Sequence, residues 1–163
     1  MANGMAKWVK KRWHIQTVDD LNDYTYYVAG LVGVMLSDIW EWYDGTETDR
    51  TLAVGYGRGL QAVNILRNQQ EDYEERGVSF FPVDWGRNHM FEYAEKHLRQ
   101  ADKYMKSIEH KNILLFCKIP LELAKKTLQV MKKGEKKMSR LEVESTVQKI
   151  KQNTLSSEKD EII

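Results

Sequence analysis

The sequence predicts an all-α fold, and three observations carry that expectation. Only two prolines, Pro82 and Pro120, occur in 163 residues. Apolar residues recur at the helical period of about 3.6 over long stretches, which is the pattern of amphipathic helices. Start and stop signals also bracket those stretches: Thr17 and Ser139 open capping-box patterns, and Gly45 and Gly77 follow the last periodic residues. A chain of this length fits one domain with a real core. That domain is placed at residues 1–153, with a disordered tail at 154–163.

The first helix starts near "TVDD", where Thr17 is the N-cap, Asp20 takes the capping-box position and the acidic residues meet the positive helix end. It runs through "DYTYYVAGLVGVMLSDIWEWY" and stops at Asp44 and Gly45. This segment is apolar nearly all round, and Ala29, Gly30 and Gly33 admit a second backbone, so a central, buried helix is expected. A second helix covers about Thr48 to Arg76. "VSFFPVDWG" is an irregular connection, and a third helix spans roughly Asp84 to His110. A fourth runs through "NILLFCKIPLELAKKTLQVMKKG", where Pro120, having no N–H to donate, is expected to kink or restart it. "SRLE", residues 139 to 142, opens the last of about five helices, and "NTLSSEKDEII" reads as a frayed tail.

Composition narrows the function classes. The formal charge is +1 with 30% charged residues, which gives no global bias toward nucleic acid. A basic segment around Lys125–Arg140 and an acidic one at Glu71–Glu75 make the distribution uneven. The one cysteine, Cys117, excludes an internal disulfide and suits a reducing compartment. The N-terminus lacks the apolar core of a signal peptide. The longest apolar run, "VAGLVGVML", is nine residues, far short of a bilayer span. These features predict a cytoplasmic protein with no transmembrane segment, in which peripheral membrane contact stays open.

The stretch "LQAVNILRNQQEDYEERGVSFFP", residues 60 to 82, carries the chemistry. On a helix, Gln61, Asn64, Asn68 and Asp72 fall within an arc of about 80°. Ala62, Val63, Leu66 and Tyr73 form an apolar face on another side, and Gly57 lies one turn upstream of the polar stripe. Asp72, Glu71 and Asn68 offer oxygen ligands to a hard cation such as Mg²⁺, which takes one or two carboxylates plus substrate phosphate. Arg67 has the fork that grips a phosphate oxygen. By pattern alone, a solvated helix face is the commoner explanation of such a stripe.

Other motifs carry less. "DDLND", residues 19 to 23, matches the string of a diphosphate-binding motif, but carboxylates at a helix start are stabilised by the macrodipole without any ligand. His14, His89, His97 and His110 have no metal-ligand spacing, and "GYGRG", residues 55 to 59, lies inside a helix where no phosphate loop forms. The five tryptophans and eight tyrosines fit a core or an apolar ligand cavity.

Four blocks, taken in order, resemble the squalene/phytoene synthase family: "YTYYVAGLVGVML" (24 to 36), "LQAVNILRNQQED" (60 to 72), "VSFFPVDW" (78 to 85) and "LLFCKIPLELAKKTL" (114 to 128). "YVAGLVG" and "FCKIP" are most similar to its squalene synthase branch. The resemblance implies an all-helical isoprenoid-synthase-like bundle that joins two prenyl diphosphates, such as farnesyl diphosphate, head to head. Two aspartate-rich helices would face each other across a central cavity and hold Mg²⁺ and diphosphate. Residues 68 to 72 match the second motif, which makes Asn68, Glu71 and Asp72 the metal ligands. By the same resemblance, Asn64 and Arg67 flank the diphosphate and Tyr24 takes part in the first half-reaction. Val28, Gly30, Val32, Phe116 and Pro120 match positions that line or shape the prenyl channel. A short match at "KKMSR", residues 136 to 140, implies NADPH as a second cofactor.

Two departures qualify the resemblance. The second motif normally begins with Asp, whereas Asn68 is a neutral, weaker Mg²⁺ ligand. The chain also matches only the C-terminal half of full-length members, so the first aspartate-rich helix is expected to be absent and the bundle incomplete. Alone, the chain is expected to be inactive. Self-association, or a partner chain supplying the missing wall, is expected to cover the open side of the 24–36 helix. The competing expectation is a catalytically silent helical module that binds an isoprenoid or another protein.

Overall fold

A computed structural model describes residues 2–156. The described residues form seven α-helices and no strand: α1 (Ala2–Lys10), α2 (Val18–Thr25), α3 (Leu31–Asp44), α4 (Arg50–Arg76), α5 (Arg87–Met105), α6 (Lys111–Lys132) and α7 (Arg140–Ser156). The all-α expectation holds. A π-helical turn at Tyr26–Gly30 joins α2 to α3, so the predicted first helix is one rod with a locally widened middle.

The local signals act as their chemistry dictates. Thr17 Oγ1 accepts from the Asp20 N–H at 3.1 Å, and Asp20 Oδ2 accepts from the Thr17 N–H at 3.2 Å. Ser139 and Glu142 close the same reciprocal pair at the start of α7. Gly77 ends α4 with φ +62°, a conformation that L side chains rarely adopt, and the N–H of Val78 returns to the Asp72 carbonyl at 3.2 Å.

Three expectations need correction. The bundle contains an additional helix, α1, whose Trp8 is completely buried and donates from Nε1 to Asp23 Oδ2 at 3.0 Å. Of the kink or restart expected at Pro120, the restart does not occur, since α6 continues as helix on either side of it. Its missing N–H deletes one hydrogen bond, and the buried residues Cys117, Leu121 and Ala124 hold the helix across the gap. The helix also continues into the expected tail: α7 reaches Ser156, with Thr154 buried, and the rest of that expectation, residues 157–163, lies outside the described residues.

Helix α4 is the axis of the bundle. It packs against α5 on one side and against the π-turn and α3 on another, with α6 beyond. Ala62, Val63 and Leu66 are buried as the periodicity requires. Tyr73 is not. It stands 69% exposed, because the final turns of α4 outrun the helices that cover its middle.

Candidate functional site

The rod α2–π-turn–α3 and helix α4 run antiparallel with their backbones in contact. A Cβ on Gly33 would come within 2.9 Å of the Ala53 carbonyl carbon, and one on Gly57 within 2.7 Å of the Ala29 carbonyl carbon. Only glycine permits this approach. The contact follows from the small residues picked out in the sequence, but it has a consequence that sequence reading did not give. At these two glycines the helices touch backbone to backbone and form one wall, while a cavity bordered by Tyr26 and Val34 on the one and by Val54 and Arg58 on the other lies beside the contact.

One turn further along this antiparallel pair, Gln61 faces Tyr24, with Gln61 Nε2 3.5 Å from the phenol oxygen. Tyr24 is 7% exposed and sits in an aromatic cage. Phe80 stacks on it at 5.0 Å, while Trp8 and Trp13 meet it edge-on at 5.7 and 6.0 Å. Trp13 reaches this position from a left-handed backbone, φ +57°, directly after Arg12 at +52°. Strain of this kind persists only where surrounding packing over-determines it, as the cage does here. Burial pushes the Tyr24 phenol above its ordinary value, partly offset by Gln61, and the nearby Asp72 charge pushes it further up.

Asp72 is half-buried. Burial raises its carboxyl above the ordinary carboxylate range; Arg76 pulls it back, while Glu71 and Glu75 push it up. No cation stands within ion-pair distance of it among the described residues. A carboxylate in that state gains from a hard cation. Asn68 is also half-buried, whereas Asn64, Arg67 and Glu71 are exposed. Arg67 and Glu71 line a groove of about 710 Å³ that also takes in Arg87 and Lys136. The stripe therefore has two margins: Tyr24, Gln61 and Asp72 on one side, Arg67 and Glu71 with the "KKMSR" segment on the other.

Two carboxylates and an amide oxygen are ligand types that Mg²⁺ takes, with phosphate and water as the rest, but here Glu71 lies on the other margin from Asp72. Among the described residues, no group of three or more His, Cys, Asp or Glu side chains could hold a metal ion unaided.

The residues matched to the prenyl channel are not all alike in setting. Gly30 is buried, and a Cβ there would meet the Val54 side chain at 3.0 Å, so this residue sits in the contact with α4. Val28, Val32 and Pro120 are half-buried, and Phe116 is 54% exposed beside Trp40. Along α3, Met35, Ile39, Trp42 and Tyr43 are exposed at helical spacing, and Trp42 reaches 86%. The expected open side of this helix is an apolar one.

The residues read as structural have structural work. Asp20 caps α2 and Asp23 ties down α1 through Trp8 and Lys7. His89 Nδ1 accepts from the Gly86 N–H at the start of α5. Burial pushes the Cys117 thiol up to about 11, which leaves it an unreactive core side chain. The aromatic cage is what sequence reasoning missed. Its one legible signal was the turn after Gly77, which folds "VSFFP" back and brings Phe80 onto Tyr24.

Comparisons with known proteins point one way. The family model for squalene/phytoene synthase matches residues 1–90. Squalene synthase 1 of Arabidopsis thaliana is 31% identical over 83% of this chain. Squalene synthase 3 of Panax ginseng is 32% identical and the squalene synthase of Dictyostelium discoideum 31%, each over 78% of it. The chain spans only 36–39% of the length of these relatives. A solved structure of TcSQS in complex with the ligand BPH1237 superposes with a TM-score of 0.73 at 25% identity, over 91% of this chain and 52% of the other. No helix among the described residues is long and apolar enough to cross a membrane. With a family model over more than half its length and the same helical fold, this chain belongs to the squalene/phytoene synthase family.

Proposed function

We propose that the chain is the diphosphate-holding wall of a prenyltransferase, binding a prenyl diphosphate such as farnesyl diphosphate through Mg²⁺ at Asn68, Glu71 and Asp72. The observation that carries this reading is a half-buried Asp72 with no ion-pair partner among the described residues, on the same stripe whose Gln61 meets the buried Tyr24 phenol. Mg²⁺ would neutralise the diphosphate as the allylic C–O bond ionises. Arg67 adds a fixed positive charge for the leaving group. Tyr24, held by Phe80, Trp8 and Trp13, presents a protonated phenol to the first half-reaction. Asn64 marks the outer edge of the diphosphate site, and Val28, Val32, Phe116 and Pro120 give the prenyl chain an apolar surface that keeps water from the cation.

Head-to-head condensation of two prenyl diphosphates needs a second aspartate-rich wall, which this reading assigns to another polypeptide segment or to a second chain seated on the apolar side of α3. NADPH at Lys136–Arg140 belongs to the same reading, with Lys136, Arg67 and Arg87 as the cations of a groove that also holds Glu71, Glu74 and Glu135. The test is to mix the chain with a separately folded segment carrying the first aspartate-rich helix and to assay pyrophosphate release from farnesyl diphosphate with Mg²⁺. Release by the mixture and by neither part alone is expected. Mixtures that bind the lipid yet never release pyrophosphate favour the silent isoprenoid-binding module, for which the neutral Asn68 is the specific observation.

A further inference from the structure

A cavity of about 870 Å³ lies away from the polar stripe, between α2, the π-turn and α3, the N-terminal half of α4, and α5. It falls in the size range of small-molecule sites. Its walls combine apolar surface from Val34, Val54 and Trp85 with the cationic groups Arg58 and Lys96, and Glu92 is the one carboxylate among the lining residues. Arg50 also borders it but is committed to Asp38 and Glu41, at 2.8 and 2.7 Å.

Arg58 is the unexplained group. Its Nη2 donates to the Asn22 carbonyl at 3.0 Å, yet its Nε is buried without any hydrogen-bond partner. Among the described residues no carboxylate stands within ion-pair distance of it. An unsatisfied buried donor costs about 1–3 kcal/mol, more when the group is charged. The neighbouring polar groups cannot relieve it, because they already satisfy one another. The Tyr93 hydroxyl donates to Asn22 Oδ1 at 2.7 Å, and the Nδ1 of buried His97 hydrogen-bonds to the Tyr93 carbonyl at 2.8 Å. Burial holds His97 below its ordinary value, and the Arg58 and Lys96 charges lower it further. The cavity thus has Arg58 and Lys96 against the single carboxylate Glu92, and no carboxylate is paired with Arg58 among the described residues.

We propose that this cavity binds a small anionic amphiphile, its phosphate or carboxylate group on Arg58 and its apolar body against Val34, Val54 and Trp85. The site is separate from the Asp72 stripe and needs no metal. Isothermal titration of the chain in EDTA with octyl phosphate, octanoate, inorganic phosphate and octanol tests it. Octyl phosphate or octanoate should saturate, at least tenfold more tightly than phosphate or octanol, and the tighter of the two names the headgroup. Arg58→Gln should weaken binding at least tenfold, and Asp72→Asn less than twofold. Lys96→Glu, at an exposed position on the rim, should weaken it severalfold and decides the matter if Arg58→Gln unfolds. Absence of saturation with both amphiphiles, or wild-type affinity in Lys96→Glu, overturns the proposal.

Discussion

The Ala29 carbonyl occupies the space that a side chain on Gly57 would need. A Cβ there would stand 2.7 Å from the carbonyl carbon and nearer still to its oxygen. On helix propensity alone, Gly→Ala inside α4 stabilises by about 1 kcal/mol. Here the overlap is with backbone, which cannot rotate away, and overpacking of that kind costs about 1–3 kcal/mol. Gly57→Ala is therefore expected to lower stability in urea unfolding, against the propensity trend. A midpoint at or above wild type would mean that the two helices are not in contact.

Asp72 carries a stability cost that its site explains. Because its folded pKa is raised, the folded state holds the proton more tightly than the unfolded one. Its contribution is most favourable at low pH and is lost as pH climbs from 3.8 through the raised value. Asp72→Asn should accordingly raise Tm at pH 7. The gain should shrink toward pH 4. A variant less stable than wild type at pH 7 would show that the carboxylate is a structural anchor.

His97 gives the opposite pH signature. Its folded value is lowered by burial, so the neutral ring is the folded form and stability is complete above the ordinary value of 6.5. Stability should fall as pH drops below 6.5 toward the folded value. In His97→Gln, thermal unfolding followed by circular dichroism should lose that portion of the acid slope. An unchanged slope would place the acid-sensitive group elsewhere.

Most of the fold was readable because it rests on local signals. Thr17, Ser139 and Gly77 bracket helices through hydrogen bonds to neighbours within a few residues, and such bonds leave sequence patterns. The close approach of two helices was readable from Ala29, Gly30 and Gly33 as well. What lies beside that contact was not: away from the glycines, α3 and α4 both line the cavity at Arg58. Helix α1 escaped notice because the bonds that anchor it, from Trp8 and Lys7 to Asp23, span fifteen and sixteen residues of sequence. The Tyr24 cage escaped for the same reason, since Trp8, Trp13 and Phe80 come from three separate segments. The cavity at Arg58 left no motif at all.

The apolar side of α3 predicts how the chain behaves in solution. Met35, Ile39, Trp42 and Tyr43 are exposed apolar side chains at helical spacing, the kind of surface that favours association. Ile39→Glu with Trp42→Ser should reduce self-association at micromolar concentration, with helicity unchanged. Sedimentation velocity reads both species. A wild-type chain that sediments as a monomer at those concentrations contradicts the expectation.

The account depends most on what Asp72 holds, and titration of farnesyl diphosphate with and without Mg²⁺ measures that directly. The expected result is binding at least tenfold tighter with Mg²⁺ in the wild-type chain, a difference that disappears in Asp72→Ala. Equal affinity with and without the metal would contradict it, and would leave the polar stripe of α4 a surface for water.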